Sequence, residues 1–253
     1  MGLTLGLIGG GGSILTVPIL VYLFGVDAVL STAYSLFVVG LTSAIGSVSH
    51  FKSGNVNIKT ALVFGLPSIA GVYAVRKFVV PAIPDPVFSL GTFAVAKAVF
   101  IMVLFAVLML FASVSMIRKP KNQAPATTQK KYHFPLIFAE GLLVGGLTGL
   151  VGAGGGFLII PALVLLAGLP MKEAVGTSLV IIALKSLIGF MGDVGGKLPI
   201  DYSFVLIFSA FAIAGILTGS YLARFISNEK LKPAFGWFVL VMGIYILGKE
   251  LFF

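Results

Sequence analysis

Apolar runs of roughly twenty residues recur along the chain, separated by short polar or glycine- and proline-rich stretches. As a helix, a run of that length matches the ~30 Å hydrocarbon core of a bilayer. The runs fall at 1–24, 29–49, 58–79 and 95–117 and, after a polar stretch at 118–133, at 134–167, 172–191, 201–223 and 231–253. The pattern predicts an all-α polytopic membrane protein of about eight hydrophobic segments, four in a first membrane repeat (1–117) and four in a second (134–253). Pro67 predicts a kink in the third run, and Pro81-Ala-Ile-Pro-Asp-Pro86 reads as a loop.

The first run of each half is interrupted. Gly6-Leu-Ile-Gly-Gly-Gly-Gly-Ser-Ile-Leu-Thr-Val-Pro18 superimposes on Gly149-Leu-Val-Gly-Ala-Gly-Gly-Gly-Phe-Leu-Ile-Ile-Pro161 with an offset of 143. A glycine disfavours helix by about 1 kcal/mol against alanine, and an interior proline by about 3. A segment that only crosses lipid has no use for that load. In hydrocarbon, broken backbone survives only where protein or a water-lined cavity satisfies it. Paired interrupted segments in two halves point to a transporter's binding site. A second reading is helix packing, since Gly2, Gly6 and Gly10, like Gly141, Gly145 and Gly149, recur every four residues. Packing alone requires neither consecutive glycines nor the downstream proline. Phosphate loops do not fit: no Gly-Lys-Ser/Thr follows, and Phe157 stands where a dinucleotide fingerprint needs its third glycine.

The duplication continues beyond the glycines. Ser35-Leu36 falls on Ser178-Leu179, Ser43 on Ser186 and Ile45-Gly46 on Ile188-Gly189; with small shifts Arg76 falls on Arg224 and Lys97 on Lys232. If each broken segment crosses once, the halves are parallel repeats. If each folds back at its glycines as a re-entrant hairpin, they are inverted. The basic residues arbitrate, because cytoplasmic loops are rich in Lys and Arg. Parallel repeats divide them 9 to 7 between the linker side and the far side; inverted repeats divide them 11 to 5, with Lys185 left inside the membrane. The charge rule favours inverted repeats, with the basic linker 118–133 in the cytoplasm.

Composition narrows the chemistry. Of 253 residues 58% are hydrophobic and 10% charged, with a mean hydropathy of +1.13. A soluble domain carries about 25% charge. Met1-Gly-Leu lacks the basic start of a cleavable signal peptide. Cysteine is absent and the two histidines are His50 and His133, so no metal and no cofactor is expected. The net charge of +9 is scattered over short loops, which suits topology and anionic lipid rather than nucleic acid.

Gly-Ala-Gly-Gly-Gly-Phe-Leu-Ile-Ile-Pro-Ala-Leu (152–163), Ala-Val-Gly-Thr-Ser-Leu (174–179), His50-Phe-Lys-Ser-Gly-Asn-Val56 and the first glycine cluster together resemble the sulfite exporter TauE/SafE family over almost the whole chain. The resemblance implies a multi-pass transporter of the bacterial or archaeal cell (inner) membrane that moves small organic or inorganic sulfur anions such as sulfite or sulfoacetate. Two departures stand out: the first half begins about ten residues late relative to its partner, and Lys185 stands where an uncharged polar residue such as asparagine is expected.

Lys185, well inside an apolar run, is the sharpest candidate. Intramembrane ionisable residues face a cavity or a partner; the competing reading is snorkelling toward the Gly192 end of the helix. Its repeat equivalent is Thr42. Hydroxyls able to bind an oxyanion are Ser13, Ser35, Thr42, Ser43, Thr177, Ser178 and Ser186, and the amides of Gly11, Gly12, Gly154, Gly155 and Gly156 join them if the helices break there; for the helical hydroxyls, interhelical packing is equally open. His50 and Asp193 occupy equivalent places just past the second helix of each half, and Glu140 precedes the second glycine cluster; all three are proton-coupling candidates. The reading is a secondary transporter of small anions, not an enzyme, with the substrate and the bilayer as partners and homo-oligomerisation left open. The alternatives are an anion channel and, lower, an intramembrane enzyme, for which the serines lack a positioned base.

Overall fold

The computed structural model describes residues 1–90, 93–117, 134–165, 167–196, 198–222, 225 and 228–252; the linker, His133 and Arg224 lie outside them. Helix α1 (Gly2–Ile8) ends at Gly9, a 3-10 turn follows at Gly10–Leu15, then α2 (Thr16–Pro18), which widens into a π turn at Ile19–Leu23. Asp27 caps α3 (Ala28–Lys52), accepting from the Leu30 amide at 3.0 Å, and Asn57 caps α4 (Ile58–Ala74) in the same way. The third run continues as a π turn (Val75–Val79) and α5 (Val80–Ala82). A short antiparallel hairpin, β1 (Phe88–Leu90) and β2 (Phe93–Val95), leads to α6 (Lys97–Ile117). The second half holds α7 (Phe134–Val151), α8 (Gly156–Leu165), α9 (Met171–Met191), α10 (Tyr202–Leu222) and α11 (Asn228–Phe252).

Among the described residues six stretches are long and apolar enough to cross a membrane, in α3, 58–82, α6, α9, α10 and α11. The first segment of each half is shorter, because its glycines interrupt it. Large apolar side chains such as Phe111, Phe211 and Trp237 are exposed on the outside, as in a protein solvated by hydrocarbon.

Close approaches at glycine fix the helix directions. A Cβ on Gly40 or Gly46 of α3 would meet Leu187 or Leu179 of α9, and one on Gly189 would meet Leu36, so α3 and α9 are antiparallel. Gly65 lies by Ile181, Val72 by Gly189, and Thr177 by Asn57, so α4 and α9 are parallel. Gly141, Gly145 and Gly149 of α7 lie against Phe64, Ser68 and Val72, so α7 runs parallel to α4. In the other half Gly2 and Gly6 of α1 lie against Ala212 and Ile216, so α1 runs parallel to α10. A Cβ on Gly2 would sit 2.0 Å from the Ala212 carbonyl oxygen, and one on Gly145 2.3 Å from that of Ser68. Gly2, Gly6, Gly141, Gly145 and Gly149 are therefore packing glycines, each drawing two backbones together. Each opening helix docks on the other half's α4 or α10, and α6 packs on α11.

The consecutive glycines do something else. Gly9, Gly152, Gly154 and Gly155 have φ of 77, 68, 65 and 74°, in the left-handed region that a side chain disfavours. The chain turns back there. Gly155 returns beside Thr148, and Gly12 returns beside Leu5, its equivalent in the first half. Seven residues along an uninterrupted helix would be about 10 Å apart. Helix α8 thus starts beside the last turn of α7.

Around the turns the core is close-packed. Ile14, Met102, Phe105, Met109, Phe157 and Val239 form one cluster; Val39, Phe64, Ile159, Leu163, Ile181 and Ile182 form another.

Candidate functional site

The two glycine turns meet. Ser13 Oγ donates to the Ala153 carbonyl at 2.6 Å, and a Cβ on Gly154 would touch both Ser13 and Val39. Lys185 reaches into this junction from α9. Its side chain is fully buried, and Nζ donates to Thr148 Oγ1 at 2.8 Å. Thr148 Oγ1 in turn donates a hydrogen bond to the Val144 carbonyl at 2.8 Å. A Cβ on Gly155 would lie 2.7 Å from Nζ, which places the amino group against the turn that opens α8. Lys185 therefore does not snorkel. Among the described residues its amino group meets no carboxylate.

Thr42 stands opposite. On α3 it lies between Gly40 and Gly46; on α9 Lys185 lies between their partners Leu187 and Leu179. The two positions related by the 143-residue offset thus share one level, where α3 and α9 cross. The surroundings differ: Thr42 Oγ1 turns back to the Val38 carbonyl at 2.6 Å, and Leu5 occupies the place equivalent to Thr148.

The other predicted hydroxyls divide into two groups. Ser35, Ser43 and Ser186 are fully buried, and their oxygens have no protein partner. Ser43 and Ser186 adjoin Thr42 and Lys185 in sequence, so three unsatisfied hydroxyls lie on the crossing pair of helices. Buried polar groups are nearly always hydrogen-bonded, so such a group signals a missing partner. Ser178 and Thr177 are committed elsewhere. Ser178 Oγ donates to Val175, and Thr177 Oγ1 accepts from the Asn57 amide, two turns from Lys185. Gly11 and Gly12 lie in the 3-10 turn, and Gly156 is the first residue of α8.

Of the titratable candidates, Asp193 is held in an ion pair the sequence did not reveal. Arg76, which the sequence matches to Arg224, is fully buried. Its Nε donates to Asp193 Oδ2 at 2.7 Å, Nη2 lies at the same distance from that oxygen, and Nη1 donates to Thr32 Oγ1 at 2.8 Å and to the Gly149 carbonyl at 3.4 Å. The π turn of 75–79 carries Arg76, whose guanidinium bonds one carbonyl of the last turn of α7, that of Gly149. The sequence signal was an arginine in an apolar run and an aspartate past another. Only the parallel packing of α4 and α9 joins them. Thr148 was equally hidden, one threonine in a glycine-rich helix. His50 sits half-buried at the opposite end of α3, against Gly176. Glu140 has one buried carboxylate oxygen without a partner, two turns before Thr148.

The sequence has relatives among known proteins. The family model described as "Sulfite exporter TauE/SafE" matches residues 1–246. A "Probable membrane transporter protein" of Xylella fastidiosa is 29% identical over 99% of this chain and 92% of its own length. A probable membrane transporter protein of Methanocaldococcus jannaschii is 30% identical over 95% of this chain and 89% of its own. The Bacillus subtilis "Probable membrane transporter protein YunE" is 31% identical over 72% of this chain and 70% of its own. No solved structure gives a significant match. With the family model covering nearly the whole length of this chain of apolar helices, the chain belongs to the sulfite exporter TauE/SafE family and is a membrane transporter rather than an enzyme.

Proposed function

We propose that the protein is a secondary transporter of small anions, of the sulfur oxyanion or organosulfonate class, that binds its substrate where the two glycine turns meet Lys185. The observation that carries this is a fully buried lysine that has no acidic partner among the described residues, set against a helix start and accompanied by buried hydroxyls that likewise have none there. A cationic side chain, hydroxyl donors and the positive end of α8 are what a tetrahedral oxyanion requires. Lys185, Thr148, Ser186 and Ser43 form the core of the site, with the amides of Gly154, Gly155 and Gly156 as further donors.

The antiparallel run of α3 against α9, equivalent helices of the two halves, supports inverted repeats with re-entrant first segments. That arrangement sets Lys52, Lys59, Lys172 and the linker on one face, and Lys77, Lys97 and Lys249 on the other. The excess of basic residues on the first face supports a cytoplasmic linker in the inner membrane.

The test is flux into proteoliposomes from a panel of sulfite, sulfate, sulfonates and small carboxylates. Saturable uptake of sulfur anions that falls at least about tenfold in Lys185→Gln is expected; that loss corresponds to ~1.4 kcal/mol. Flux of every anion unchanged in that variant would remove Lys185 from the site.

A further inference from the structure

Building on the anion site proposed above, we infer that Lys185 is the proton-coupling group of the transporter: an uncharged amine in the empty site, it takes up one proton with each anion and releases it when the anion leaves.

The surroundings of Nζ argue this. It is fully buried and makes a single hydrogen bond, to a hydroxyl whose own proton is committed to the Val144 carbonyl. An ammonium has three hydrogens to place, so two would be stranded; an amine strands one at most and offers a lone pair. Nζ lies against the turn that opens α8, a helix of ten residues. Its free amides and positive dipole end accept a lone pair or an anion and repel a cation.

No charge nearby offsets the penalty. On α7 the ionisable group is Glu140, eight residues and about 12 Å before Thr148. On α4 and its π turn they are Lys59, Tyr73, Arg76 and Lys77. On α3 they are Tyr34, His50 and Lys52. On α9 itself they are Lys172 and Glu173, with Asp193 just beyond its end; α8 and residues 10–15 carry none. The one carboxylate at the near end, Asp193, is taken by Arg76 at 2.7 Å. Tyr34 accepts from the Asp201 amide. An isolated ammonium here is therefore unfavourable until an anion enters beside it. The anion in turn is held far better by an ammonium than by an amine. Each ligand raises the affinity for the other by the same factor.

Proton and anion thus travel together. The step balances simply: amine, proton and anion combine into an ammonium–anion pair, and the reverse occurs on the other side. A monovalent anion moves without net charge, and a divalent one carries one negative charge.

The test uses the full-length protein in detergent with sulfoacetate and sulfate, neither of which titrates between about pH 6.5 and 9.5. Proton uptake on binding is read with a pH indicator in weak buffer, alongside anion affinity. Wild type is expected to take up close to one proton per anion at the alkaline end, with Kd rising up to about tenfold per pH unit. Lys185→Arg, whose guanidinium stays charged, is expected to bind without proton uptake and with flat pH dependence. Lys185→Gln is expected to bind weakly at every pH. Binding by wild type with no proton uptake, or uptake that survives in Lys185→Arg, overturns the coupling role while leaving the anion site standing. Wild-type affinity in Lys185→Gln overturns the anion site itself. If Lys185→Arg does not fold, wild type and Lys185→Gln still decide both questions.

Discussion

Gly155→Ala is the smallest change that tests the junction. Gly155 has φ of 74°, a conformation that disfavours an L side chain by about 1–2 kcal/mol. The new Cβ would lie 2.3 Å from Thr148 Cγ2 and 2.7 Å from Lys185 Nζ. Nζ ends a flexible chain and swings aside. Thr148 Cγ2 is branched at Cβ on a packed helix and cannot, so overpacking adds about 1–3 kcal/mol. The total, about 2–5 kcal/mol, lowers thermal stability, and displacing Nζ abolishes flux. Thr148→Ser deletes the Cγ2 that clashes and keeps the oxygen that accepts from Lys185. Added to Gly155→Ala it is expected to recover part of both stability and flux, with a coupling of at least about 1 kcal/mol between the two sites. Thermal unfolding in detergent gives the first quantity, and proteoliposome uptake of a labelled organosulfonate the second. Wild-type flux and melting in Gly155→Ala, or strictly additive effects in the double variant, would refute the reasoning.

Three further outcomes are expected. Asp193→Asn leaves the Arg76 guanidinium buried and unpaired, which destabilises by about 3–5 kcal/mol; Arg76→Gln with Asp193→Asn is expected to melt higher than Asp193→Asn alone, read by unfolding in detergent. Gly145→Leu, at a contact where even a Cβ meets the Ser68 carbonyl oxygen at 2.3 Å, is expected to abolish folded protein altogether on size-exclusion chromatography, whereas Gly155→Ala abolishes flux with folded protein remaining. In this cysteine-free chain, Lys52→Cys and Lys172→Cys are expected to react with a membrane-impermeant thiol reagent from one side and Lys77→Cys and Lys249→Cys from the other; reaction of Lys52→Cys and Lys172→Cys from opposite sides would defeat inverted repeats.

The helices were legible in the sequence because lipid leaves a coarse signature, a long apolar run between polar breaks. The glycines were legible as a class, yet their two roles were not separable by spacing. Gly149 packs on Val72 and Gly152, three residues on, turns the chain at positive φ. Lys185 was visible as a charge in an apolar run. Its partner Thr148 was not, because a hydroxyl in a membrane helix has ordinary uses, such as bonding back to its own backbone as Thr42 does. The Arg76–Asp193 pair needed three-dimensional packing: 117 residues separate the two, and each taken alone looks like an interfacial charge. Thr177, promising beside Ser178, instead ties the α3–α4 loop to α9.

The docking of α1 on α10 has a consequence for how the molecule comes into being. The backbone surface of Gly2 and Gly6 has its mate at Ala212 and Ile216, 210 residues later in the chain. At a synthesis rate of about 5–20 residues per second, the amino-terminal helix waits roughly ten to forty seconds for that mate to leave the ribosome. During the wait its glycine-lined flank is open to wrong neighbours or to the insertion machinery. The second half's opening helix has no such delay, since α4 is finished before α7 begins. Helix α1 is made long before the surface it docks on, and truncation before residue 212 removes that surface.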